Sequence, residues 1–90
     1  MIEAKLLVEN LNGIHARPSA EIVKTAGNYP SCNVTFKTKN GEADAKSIMS
    51  ILMLRILHGM EITVIADGQG EDNVIVDMEN LFKNKFGFEE

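Results

Sequence analysis

The chain has 90 residues, 44% of them hydrophobic, enough for one small core and too few for two, so a single domain over residues 1–90 is expected. Nine Lys and Arg against 13 Asp and Glu leave a net charge of −4, which argues against a nucleic-acid backbone or an anionic membrane as the main partner, because both favour basic surfaces. Glu3, Lys5 and Glu9 interrupt any signal-peptide run and nothing approaches a spanning length, so a cytoplasmic protein is expected.

Ile2, Ala4, Leu6 and Val8 alternate with charged residues and predict a half-buried strand. A turn at residues 10–13 leads to a helical spacing of Ala16, Ser19, Ala20, Ile22, Val23 and Ala26, with Gly27 as its expected C-cap. Cys32, Val34 and Phe36 alternate as a second strand, Asn40-Gly41 predicts a tight hairpin turn, and residues 42–45 form the return strand. Ser47 stands before an apolar run as a helix N-cap, and His58-Gly59 supplies the expected stop, with His58 favoured by the helix dipole. Residues 60–66 read as the last strand. Glu71 and Asp72 then open a helix whose apolar face carries Val74, Ile75, Met78, Leu81, Phe82 and Phe86. The order is βαββαβα. The expected fold is α+β, an open-faced β-sandwich in which three helices cover one face of a four-stranded antiparallel sheet.

Chemistry concentrates at residues 12–19. Pro18 lacks an amide hydrogen and fits a first helical turn, which sets His15 at or beside the N-cap. Outward amides and the helix dipole make such a place an anion site. Arg17 adds a planar cation suited to phosphate oxygens, and His15 adds a nucleophilic nitrogen usable near neutral pH. A purely structural cap would be better served by Ser, Thr, Asp or Asn. Which ring nitrogen reacts is not readable from these residues.

Gly13-Ile14-His15-Ala16-Arg17-Pro18 resembles the active-site motif of the HPr phosphocarrier proteins of the bacterial phosphoenolpyruvate-dependent phosphotransferase system, and Lys46-Ser47-Ile48-Met49 resembles that family's regulatory serine segment. The resemblance covers essentially the whole chain. It implies a phosphoryl carrier, a macromolecular cosubstrate rather than a free-standing enzyme, that accepts a phosphoryl group from enzyme I on Nδ1 of His15 and passes it to EIIA domains. Arg17 and the backbone amides of Ala16 and Arg17 would stabilise the group. Ser47 would be the regulatory phosphorylation site, addressed by an HPr kinase/phosphorylase and read by a transcription regulator. Ala20, Lys24, Ile48, Met49, Ile51 and Leu52 would form the docking face, and a monomer is expected.

The ending at residues 81–90 and Leu52-Met53-Leu54 look more like the nitrogen-related paralogue NPr, whereas the Lys46-Ser47 block looks like the sugar branch. A binding-only adaptor acting through Ser47 is the alternative of a different class. Cys32 is the only cysteine, so no internal disulfide forms. The acids and glycines of residues 67–72 miss the positions a calcium loop requires, and no metal or cofactor is expected.

Overall fold

The structure, a computed structural model, describes residues 1–84 and 86. Its elements are β1 (Ile2–Leu7), α1 (Ala16–Gly27), β2 (Cys32–Thr38), β3 (Gly41–Asp44), α2 (Ile48–Met53), β4 (Glu61–Gly68) and α3 (Glu71–Lys83). The four strands form one antiparallel sheet in the order β1-β4-β2-β3. The predicted α+β class and βαββαβα order therefore hold.

The period of two explains the layering. Ile62, Val64 and Ala66 of the central strand β4 are fully buried, and the register sets Val64 beside both Ala4 and Phe36 on the same face. Onto that face α3 lays Val74, Ile75, Met78 and Phe82, α1 lays Ile22 and Ala26, and α2 adds Ile51. The Phe36 and Phe82 rings meet edge to face at 5.9 Å. Each fully buried Val, Ile, Met or Phe side chain contributes about 1.5–3 kcal/mol by leaving water, and the alanines less. The opposite sheet face carries Glu3, Lys5, Lys37 and Thr63, and among the described residues no helix covers it. It is the open face of the sandwich.

Several boundaries differ from those expected. Thr38 pairs with Gly41, so the hairpin turn is Lys39-Asn40 and the return strand starts at Gly41. Only Gly41 there has a positive φ, 133°, and the Asn40 side chain instead donates to Leu54 O at 2.8 Å. Gly27 is the last residue of α1, while Asn28 caps it in an ordinary right-handed conformation. α2 ends at Met53, which leaves His58 beyond the helix in an exposed turn, where the expected dipole contact does not form. β4 runs to Gly68 because Asp67 and Gly68 still pair with Asn33 and Cys32. Phe86 does not extend the α3 face. It lies past the helix end at φ 61°, buried, with its ring 4.8 Å from that of Phe82.

Candidate functional site

The loop from β1 into α1 is held from both sides. Val8 N donates to Met60 O at 2.9 Å and Gly59 N to Val8 O at 2.8 Å, which carries the β1–β4 pairing past the strand ends. Asn10, almost wholly buried, closes the turn: its carbonyl accepts from Gly13 N at 3.1 Å and its Nδ2 donates to Gly13 O. Gly13 has φ 66°, and a Cβ there would lie 2.4 Å from Ile56 O, so both conformation and space require glycine. Ile14 N then donates to the same Ile56 O at 3.0 Å. The chain therefore reaches residue 15 with little freedom left.

His15 is the N-cap of α1, with φ −108° and ψ −162°. Its carbonyl opens the helical ladder by accepting from Ser19 N at 3.0 Å and from the buried Ser19 Oγ at 2.8 Å. Its side chain makes no capping bond, and its Nε2 is buried although the residue as a whole is half-buried. Ala16 and Arg17 occupy the first turn before that ladder begins, and both are exposed; Pro18 is packed inward. The first turn of α1 contains no acidic residue. Positive potential at this helix end thus meets no carboxylate of its own turn, an arrangement that favours a bound anion.

Ser47 is the N-cap of α2. Its Oγ accepts from Ser50 N at 3.3 Å and its carbonyl accepts from Ile51 N at 3.1 Å. The preceding Lys46 reaches back, its Nζ donating to Tyr29 O at 2.8 Å and Cys32 O at 2.6 Å. Lys46 thereby ties the Ser47 turn to the α1–β2 connection, a role with no local sequence signal because both acceptors are distant backbone carbonyls. Tyr29 in turn donates its hydroxyl to Asp77 on α3. That hydrogen bond, with a smaller contribution from burial, pushes the Tyr29 phenol above its usual pKa.

Of the residues expected on a docking face, Ala20, Lys24, Ile48 and Met49 are exposed and Leu52 is half-buried. Ile51 is a correction. It is 0% exposed and belongs to the core, because a six-residue helix lying on the sheet must turn one residue inward and Ile51 is that residue. Met53, 77% exposed, shares a face with Met49 one helical turn earlier; Leu57 and Leu11, both 64% exposed, belong to the loops beside Gly13. The spacing of four between Met49 and Met53 was the available signal for the first. Cys32 is buried and reduced. Among the described residues no cluster of three His, Cys, Asp or Glu could hold a metal ion, and no helix is long and apolar enough to cross a membrane.

The family model for the PTS HPr component phosphorylation site matches residues 2–84. The chain belongs to the PTS HPr phosphocarrier family. The HPr of Xylella fastidiosa strain 9a5c is 40% identical over 86 residues, covering 96% of each chain. That of Cupriavidus necator is 34% identical over 87 residues, covering 97% of each. The crystal structure of HPr-C-His from Thermoanaerobacter tengcongensis superposes with a TM-score of 0.93 at 34% identity and full coverage of both chains. In this HPr-family chain the loop before α1 lies against the loop before β4, through the Val8–Met60, Val8–Gly59 and Ile14–Ile56 backbone hydrogen bonds.

Proposed function

We propose that this HPr-family chain carries a phosphoryl group on Nδ1 of His15, taken from phosphorylated enzyme I and delivered to an EIIA domain. The observation that carries this reading is the N-cap position of a histidine whose Nε2 is buried and whose side chain takes no part in capping. In the neutral ring Nε2 keeps the proton, and the lone pair on Nδ1 attacks phosphorus as the nitrogen–phosphorus bond to the donor histidine breaks. The electron pair of that bond returns to the donor ring. Charge spreads over three phosphoryl oxygens in passing, and the Arg17 guanidinium with the amides of Ala16 and Arg17 stabilises it. Transfer to the acceptor reverses the same geometry, and no metal or cofactor takes part.

Ser47 is the regulatory site in this reading. A phosphate of charge about −1.5 to −2 there would sit at a helix N-terminus while placing negative charge beside the exposed Ile48 and Met49, so that acidic partner surfaces are repelled. The protein acts as a cytoplasmic single-domain monomer, and its EIIA partner decides whether it serves sugar uptake or the nitrogen-related branch.

Incubation with phosphoenolpyruvate and the same organism's enzyme I, followed by intact-mass analysis at alkaline pH, tests the assignment. One acid-labile phosphoryl group is expected on the wild type and none on His15→Ala. A folded wild type that stays unmodified would overturn the carrier role and favour the adaptor reading through Ser47.

A further inference from the structure

Arg55 holds a backbone conformation that its own chemistry does not explain. Its φ is 52°, a left-handed geometry in which a Cβ is crowded and which usually falls to glycine. The position, just past the C-cap Leu54 of α2, is the one where glycine normally ends a helix. Attraction to the helix dipole accounts for a cation near this end but not for the strain. α1 and α3 obtain the same benefit from Lys24 and Lys83 within their last turns. Arg55 is exposed, and among the described residues its side chain makes no hydrogen bond or ion pair. A strained residue with no internal reward points outward to function.

Its surroundings indicate which function. The next residue, Ile56, supplies the carbonyl that accepts from Ile14 N, and Leu57 Cα lies against Gly13, so Arg55 is fixed to the loop that carries His15. Exposed apolar side chains flank it in sequence at Met53 and Leu57. Residues 47–60 contain no Asp or Glu, in a chain that has 13 of them. One guanidinium therefore stands in an apolar segment without a local carboxylate to neutralise it.

We propose that Arg55 is a specificity-determining residue for docking to the phosphoryl donor, its guanidinium meeting a carboxylate at the rim of an otherwise apolar surface on enzyme I. The inference rests on the reading of His15 as phosphoryl acceptor. Arg55 acts on encounter and orientation, not on the transfer step, so its removal raises KM and leaves kcat alone.

Initial rates of phosphorylation by phosphorylated enzyme I of the same organism, at low and high salt, with Tm measured alongside, test this on the wild type, Arg55→Gly and Arg55→Lys. Arg55→Gly should relieve the backbone and raise Tm by about 2–6 °C. Its KM for the carrier should rise about 3- to 10-fold at low salt with kcat unchanged, and the difference should shrink as salt screens the pair. Arg55→Lys should keep most of the low KM. An unchanged KM in Arg55→Gly, or a rise that salt does not reduce, overturns the role of Arg55 while His15 stands. A wild type that accepts no phosphoryl group overturns both.

Discussion

The N-caps of α1 and α2 occupy the same position in helix geometry and use it in opposite ways. Ser47 turns its side chain onto the helix, accepting from Ser50 N, whereas the side chain of His15 makes no capping bond. Serine is among the best residues for that position and satisfies an amide that would otherwise lack an acceptor. Histidine forgoes that gain. The difference teaches that α1 begins where local stability has been given up, and the buried polar turn of Asn10 and Gly13 is what keeps the loop in place regardless. Structure lost at the cap is recovered in the loop before it.

The sharpest way to break the comparison is to make the two caps alike. His15→Ser should end phosphoryl transfer completely and raise stability by a few tenths to about 1 kcal/mol, because the new hydroxyl can accept from the first-turn amides. Loss of transfer would be read by intact mass and stability by urea denaturation. A serine variant less stable than the wild type would show that the imidazole supports the fold and that α1 gives nothing up. Next in size, Arg17→Ala should slow transfer by about 10²–10³-fold, the effect of removing one preorganised donor from a developing oxyanion. Arg17 is exposed, so the loss of stability should be far smaller than the loss of transfer. A large loss of stability with unchanged transfer would sink its assigned role. At the other cap, Ser47→Ala should lower stability by about 1 kcal/mol and leave transfer through His15 near the wild-type rate.

How much of this could be read in advance depends on whether the cause was local. Alternation in β1 and β2, the glycine at position 13 and the proline at position 18 act through their own backbone, and each led to the right element. Ile51 was misread because α2 is apolar on nearly every side, so periodicity carries no information about which residue faces the sheet. Asn40 looked like a turn residue of positive φ, yet its side chain is engaged by Leu54 O, fourteen positions away, and the turn moves back by one residue. The Lys46 contacts with Tyr29 and Cys32, the burial of Nε2 of His15 and the ring contact of Phe86 with Phe82 likewise depend on segments that meet only after folding. At the candidate site, then, residue types were legible and their orientation was not.

The third helix start gives the smallest effect and the cleanest control. Gly70 is the N-cap of α3, and the first turn of the helix carries Glu71 and Asp72, so the charge that α1 lacks is built in here. Glu71 accepts from Gly68 N at 3.1 Å and pairs with the Met1 ammonium at 3.2 Å. Chiefly the Gly68 hydrogen bond, and then that ammonium, lower its pKa from the ordinary value of 4.5. A carboxylate with a depressed folded pKa contributes stability that is fully present above its unfolded value and is lost as pH falls through the folded one. Glu71→Gln should therefore lower Tm slightly at neutral pH, and the gap should begin to close as pH falls below the ordinary value of 4.5 and vanish once it has passed below the depressed folded pKa, where the wild-type carboxylate is also neutral. Transfer through His15 should not change at any pH at which both proteins are folded. A Tm gap that persists in acid would mean that Glu71 acts through shape rather than charge, and the contrast between a helix start that supplies its own anion and one that leaves the place to a ligand would lose its electrostatic basis.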